Sequence, residues 1–315
     1  MKTSLFMTLA VATFALAGCS NDDSENQADW NGEIRLSSGV TVLQTRGDNT
    51  PPDTQIANGQ EVGVFISDAE DAAIGTDLKY TADGSGGLTL AVMDPEQDTP
   101  YYPANGNSVN IYAYQPYSTT ATADVSYDFS VQTDQSIAGN NNYYDSDLLY
   151  SATKVYSRQA APLSLAFEHK LSKVVCTLVA GTGEPDLTGA TVAIVNVETK
   201  GTFNPSDGTF TTTTSGAVQS DVTMNSTITS GSYIAVIPPQ TFTKGAQFLK
   251  VTVADGGTFY HKIPNGNSDS DLILAAGNVY TYTITVNKTG LTVTSTISPW
   301  EGIESNKKTG TAEME

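Results

Sequence analysis

Two histidines and two cysteines are the side chains of this 315-residue chain best suited to nucleophilic or metal chemistry. His169 and His261 each lie beside aromatic residues in a predicted strand, which is typical of buried structural histidines. No cysteine and histidine have zinc-ligand spacing, and no Gly-x-Ser-x-Gly motif or phosphate-binding glycine loop is present. Residues 265–271 copy the first half of a calcium loop, but Ser270 and Ala276 stand where that loop needs a glycine and a bidentate acid. The sequence predicts no catalytic residue, metal or cofactor, although paired carboxylates for glycoside hydrolysis stay open because they need no local spacing.

The charge balance excludes two classes of partner. The chain has 34 acidic and 15 basic residues, a net charge of -19. Binding to nucleic acid or adsorption to an anionic membrane needs a basic face, which so few lysines and arginines cannot build. The 15 tyrosines and 10 phenylalanines are nevertheless enough to fill a hydrophobic core. We therefore predict a folded, acidic protein with no nucleic-acid partner.

Cys19 is a candidate site of lipid attachment. Lys2 precedes an apolar run from Leu5 to Leu16, which is too short to span a bilayer and typical of a secretion signal. The run continues into Leu16-Ala17-Gly18-Cys19, which resembles the lipobox of bacterial lipoprotein precursors. An ordinary signal peptide with a chance cysteine is the alternative. The prediction is a signal peptide over residues 1–18, a lipid on Cys19, and an acidic tether over residues 19–32.

Arg46 is a candidate processing site. A predicted strand from Glu33 to Gln44 ends at Thr45-Arg46-Gly47, and the Asn- and Pro-rich segment that follows cannot continue a ladder. A basic residue before such a segment is accessible to a protease. Arg35 is a poorer candidate because it lies inside the strand. We predict cleavage after Arg46, which makes Gly47 the new N-terminus.

From about residue 33 onward the apolar residues alternate with period two, and no stretch has the pattern of an amphipathic helix. Six or seven strands are predicted before about residue 168 and a similar number after it. This count and the length favour an all-β protein with two consecutive β-sandwich domains, 33–167 and 168–315. Cys176 lies on the apolar face of a predicted strand, where a buried free thiol is expected.

An apolar strand stands near each end of the predicted mature chain. The first carries Ile34, Leu36, Val40 and Val42 on one face, and its loss would expose unpaired backbone groups along the edge of the first sandwich. Near the other end, Leu291, Val293, Ser295 and Ile297 alternate with three threonines, and three of the four are aliphatic. Leu291, Val293 and Ile297 are the candidate donor strand that fills such a groove in another subunit. The tail over residues 300–315 is the alternative donor, and residues 291–297 are then a fixed strand of the second domain.

The chain resembles the fimbrillins, or type V pilins, of Bacteroidales-type bacteria. The resemblance rests on the lipobox and the strand ending at Thr45-Arg46, and on the sequences at 165–174, 275–282 and 297–300. It implies two transthyretin-like β-sandwich domains, export as an outer-membrane lipoprotein, and cleavage by an arginine-specific surface protease. It also implies that the first strand is replaced by a strand from the C-terminal region of another fimbrial subunit.

The predicted function is therefore that of a structural subunit of a cell-surface fimbria that supports adhesion, and not of an enzyme. A head-to-tail contact of this kind is not self-complementary, so it propagates a fibre. One alternative is a tip or minor subunit, which accepts a strand without donating one. Another is a lipid-anchored glycan-binding protein that stacks sugars on exposed aromatic residues, namely Tyr101, Tyr102, Tyr143, Tyr144 and Trp300.

Overall fold

Alternating apolar residues build nearly all of this chain into strands, and the all-β prediction is confirmed. The computed structural model describes residues 30–40, 55–91, 99–136, 142–214, 219–226, 232–254, 257–266 and 269–299, with the backbone of 305–313. The elements up to residue 169 are β1 (Leu36–Val40), β2 (Glu61–Asp68), β3 (Ala73–Ala82), β4 (Leu88–Leu90), β5 (Val109–Gln115), β6 (Tyr127–Ser130), the short helix α1 (Asn142–Asp145), β7 (Leu149–Tyr156) and β8 (Leu163–His169).

Thirteen further strands follow in the described part of the chain. They are β9 (Ser172–Ala180), β10 (Thr191–Val197), β11 (Lys200–Asn204), β12 (Thr209–Thr212), β13 (Ser220–Thr223), β14 (Ser232–Ile237), β15 (Gln240–Phe242), β16 (Gln247–Val253), β17 (Gly257–Lys262), β18 (Leu272–Leu274), β19 (Asn278–Asn287), β20 (Gly290–Pro299) and β21 (Ser305–Glu313). The sequence predicted about half as many, because strands of three or four residues are too short to show an alternation.

The largest sheet has seven strands in the order β1-β8-β7-β5-β2-β3-β4. The later strands form a five-stranded sheet, β14-β9-β19-β20-β21, and a four-stranded sheet, β13-β10-β16-β17. Side chains from both sheets fill one hydrophobic cluster, in which Cys176 is fully buried as a free thiol. Burial raises the pKa of that thiol, so Cys176 packs as a small apolar residue.

The early and late strands share a second cluster that is rich in aromatic residues. Strand β6 pairs with β11 rather than with its neighbours in the chain. Phe203 of β11 lies with its ring centroid 6.0 Å from Tyr114, 5.8 Å from Tyr127 and 6.1 Å from Tyr150. Gly32–Glu315 accordingly form one compact unit. The division into domains 33–167 and 168–315 stays a prediction.

The side chain of Gln135 links the segment after β6 to strand β14 through hydrogen bonds. Its side chain is fully buried; Nε2 donates to the Val236 carbonyl at 2.9 Å, and Oε1 accepts from the Val236 amide at 3.0 Å. The main-chain N–H of Gln135 also donates to the Thr223 carbonyl at 3.0 Å. An early segment therefore supplies backbone-like hydrogen bonds to a late strand.

Gln135→Ala is expected to lower the free energy of unfolding by about 2–3 kcal/mol, because it leaves the amide and the carbonyl of Val236 buried without partners. Urea unfolding followed by circular dichroism measures this loss. Gln159→Ala is the matched control, since the Gln159 side chain is exposed and donates to the nearby Ala161 carbonyl. A change below about 0.5 kcal/mol in Gln135→Ala would contradict a structural role for this amide.

Candidate functional site

Strand β1 presents one apolar face to the core. Exposure alternates along residues 34–40, and Ile34, Leu36 and Val40 keep 2%, 4% and 7% of their surface exposed. Ser38 occupies the remaining inward position with 8% exposed. Val42, the last residue of the predicted removable strand, lies outside the described residues. The inward side chains of β1 therefore form a nearly continuous buried row.

One backbone edge of β1 pairs with β8 in parallel. Leu36 lies opposite Leu163 and Val40 opposite Phe167, and the Leu163 amide donates to the Arg35 carbonyl at 2.8 Å. The inward residues of β8 are themselves buried, namely Leu163, Leu165 and Phe167. These three side chains continue the buried row of β1 on the same face of the sheet, and we call them the floor of the groove that β1 occupies.

Strand β1 is the last strand of its sheet, as predicted for an edge strand, and its outer edge is hydrogen-bonded to loop segments. The Ser38 amide donates to the Gly86 carbonyl at 2.7 Å, and the Ile34 amide donates to the Pro100 carbonyl at 2.8 Å. Gly86 has a φ of +103°, and a Cβ there would lie 3.1 Å from the Ser38 carbonyl oxygen. Glycine thus permits both the turn and the close approach. Removing β1 would leave β8 unpaired on one side and these loop segments on the other, so it would open a bounded groove.

Of the three arginines of the chain, Arg35 and Arg158 lie among the described residues. Arg46 and Gly47 lie outside the described residues, as does Cys19. The carbonyl of Arg35 is hydrogen-bonded to β8, which restrains the bond after it. Arg158 is exposed in the connection between β7 and β8, with its guanidinium carbon 5.7 Å from the centroid of the Tyr102 ring. The sequence analysis did not name Arg158 as a candidate processing site, although the Gln-Ala-Ala-Pro sequence that follows it is typical of a loop.

The candidate donor strand lies inside the five-stranded sheet. Strand β20 pairs with β19 along one edge and with β21 along the other. Leu291 and Val293 are buried in the late core with 2% and 1% exposed, and Ile297 is half-buried against it. Strand β21 stands at the end of the sheet order and contains only one apolar residue, Ala312. The apolar strand thus lies between two others, and the strand at the end of the sheet order is polar in sequence.

Both histidines have the structural positions that their strands predicted. His169 Nδ1 lies 2.9 Å from Asp147 Oδ1, and both side chains are buried. Burial lowers the pKa of His261 to about 4, so this imidazole is neutral at physiological pH. Within the described residues no group of three His, Cys, Asp or Glu side chains could hold a metal ion. Nor does any helix among them have the length and apolar character to cross a membrane.

The aromatic residues proposed to stack on sugars are not a common surface. Tyr102 and Tyr143 are buried, with 5% and 1% exposed, so their assignment as exposed stacking residues is wrong. Tyr144 is half-buried against Tyr143, and Tyr101 alone is well exposed, at 41%. Trp300 lies outside the described residues. Tyr102 donates its hydroxyl to the Ser157 carbonyl at 3.1 Å, and Tyr143 packs edge-on against Tyr144 with ring centroids 5.4 Å apart.

The comparisons with known proteins agree with this architecture. Residues 45–300 match the family described as Fimbrillin-like, and the chain belongs to that family. A relative from Bacteroides uniformis, provisionally named fimbrium subunit Fim1C, is 29% identical over 99% of this chain and 100% of its own length. A crystal structure of a provisionally assigned cell adhesion protein from Bacteroides uniformis has a TM-score of 0.63 and 27% identity, covering 85% of this chain and 98% of that one. Another, from Bacteroides ovatus, also has a TM-score of 0.63, with 18% identity over 87% of this chain and 99% of that one. The predicted resemblance to fimbrillins is confirmed.

Proposed function

We propose that this protein is the precursor of a structural subunit of a cell-surface fimbria. It is exported as a lipoprotein through Cys19, cleaved after Arg46, and joined to other fimbrial subunits by strand replacement. The family membership supports the fimbrial class, and the name of the Bacteroides uniformis relative agrees with it. Adhesion, rather than an enzymatic reaction, is the role that follows.

The observation that carries the proposal is the position of β1. Its buried apolar row lies six residues before Arg46, so one cut separates the strand from the rest of the fold. At about 1.5–3 kcal/mol per buried aliphatic side chain, Ile34, Leu36 and Val40 hold the uncut strand firmly. The tether through residues 41–46 supplies an effective concentration in the millimolar range, and cleavage abolishes it. A strand of another subunit can then compete for the same floor.

Two properties decide which strand is donated, and they favour different strands. Apolar content favours β20, whereas a position at the end of the sheet favours β21. Strand β20 has the side chains that a groove needs, through Leu291, Val293 and Ile297. Its release breaks the hydrogen bonds to β19 and exposes part of the hydrophobic cluster that contains Cys176. We propose β20 as the donor, leaving together with β21, because the polar sequence of β21 cannot fill an apolar groove.

A tip or minor subunit is the second candidate, and the enclosure of β20 favours it. A subunit that only accepts a strand keeps β20 in its own core and pays none of the cost of release. Such a protein would join the fibre through the β1 groove alone. The two candidates differ in whether one purified subunit, once cleaved, forms homopolymers.

Fibres isolated from the cell surface are expected to contain a subunit that begins at Gly47 and lacks the lipid. Intact mass and N-terminal sequencing of the isolated material measure both properties. The uncut cell-envelope fraction provides the reference, since it should hold the form that begins at Cys19. Recovery of the full-length, Cys19-linked form as the main component of the fibres would reject cleavage as the assembly step.

A further inference from the structure

Ser38 interrupts the apolar row of β1. It lies opposite Leu165, which is fully buried, and it keeps only 8% of its own surface exposed. Its hydroxyl has no hydrogen-bond partner in the described part of the chain. A buried hydroxyl without a partner gains nothing from its polarity. What this position uses is therefore the small size of serine.

The backbone at Ser38 has no room to move away from the floor. On one side it pairs with β8, and on the other its amide donates to Gly86 at 2.7 Å. Gly86 also lies close to the Ser38 carbonyl, since a Cβ on this glycine would be only 3.1 Å from that oxygen. A strand held on both edges cannot shift outward to admit a larger residue, and overfilling a close-packed site is destabilising. The groove thus has three wide positions, at Ile34, Leu36 and Val40, and a narrow one at Ser38.

We infer that this groove selects its incoming strand by a small side chain at the narrow position, with aliphatic residues at the wide ones. The inference rests on the proposed function, because the groove exists only after β1 leaves. The matching strand is present in a second copy of this chain, where Leu291, Val293, Ser295 and Ile297 repeat the spacing of Ile34, Leu36, Ser38 and Val40. Ser295 takes the place of Ser38 in this register.

Peptide exchange into the cleaved protein tests the inference. The mature chain is cut with an arginine-specific protease, and the product cut only after Arg46 is verified by intact mass. Fluorescent peptides of residues 290–299, the same peptide with Val293→Ser and Ser295→Val, and residues 32–43 are then titrated in by anisotropy. The two forms of 290–299 have one composition, so only the order of sizes differs. The native order is expected to bind at least tenfold more tightly than the exchanged one.

The outcomes separate this inference from the proposed function. If residues 32–43 cannot re-enter the cut protein, the groove does not accept strands and the proposed function fails. If that peptide enters but the exchanged form of 290–299 binds as tightly as the native one, or neither form binds, the size selection is overturned. A second measurement uses the uncut protein, in which Ser38→Ala should keep or raise Tm while Ser38→Leu lowers it by several degrees. Equal Tm values for these two variants would also overturn the narrow position.

Discussion

Replacing Arg46 with alanine is expected to leave the protein as a full-length, lipid-linked monomer and to abolish its incorporation into fibres. Without the cut, β1 stays tethered beside its own floor, so a strand from another subunit meets an effective concentration that it cannot overcome. Incorporation into fibres should be almost completely lost, because the tethered strand occupies the groove in every molecule. Fibre yield from sheared cells and the intact mass of the envelope form measure it.

Arg35→Ala is the matched control for this experiment. Arg35 has an exposed side chain that forms an ion pair with Glu33 at 3.3 Å, and exposed pairs contribute little stability. Its carbonyl keeps the bond to Leu163 in the variant, so assembly should be normal. Fibres of wild-type amount from Arg46→Ala would show that cleavage at this residue is not needed. Arg158→Ala is the next variant in that event, since Arg158 is the other exposed arginine.

Local alternation explains how much of this site could be predicted from the sequence. The period of two along residues 34–40 correctly predicted which side chains of β1 face the core, because a strand that is buried on one face must alternate. The same pattern correctly placed Leu291 and Val293 on an apolar face. Both predictions depend only on residues that are near one another in the chain.

The remaining features depend on contacts between distant segments, and no local pattern encodes them. The approach of Gly86 to Ser38 closes the second edge of β1, yet the glycine cluster at residues 83–87 reads only as a turn. Likewise, the pairing of β6 with β11 joins residues about seventy positions apart. Tyr102 and Tyr143 are buried for the same reason, since neighbouring segments of the fold cover them. Whether β20 is enclosed depends on β21, whose sequence is too polar to predict a strand.

Leu36→Asp is expected to destabilise the uncut precursor by roughly 4 kcal/mol or more, with a fall of about 10 °C in Tm. The substitution removes a buried aliphatic side chain and places a carboxylate on the apolar floor of β8. Thermal unfolding of the uncut protein by calorimetry measures the effect. Arg35→Asp is the matched control because residue 35 lies on the opposite, exposed face of residues 34–40, where a carboxylate should change stability by less than about 1 kcal/mol.

Cleavage turns this variant into a test of strand removal itself. Residue 36 leaves with the excised segment, so cut Leu36→Asp and cut wild-type subunits have the same sequence from Gly47 onward and should build fibres of equal stability. The charged segment should also leave its groove faster, because it is held by less apolar contact. Leu165→Ala alters the floor, which stays in the fibre, and should weaken both the precursor and the fibre. If Leu36→Asp weakened mature fibres as much as Leu165→Ala does, β1 would still be present in them and the exchange would not occur.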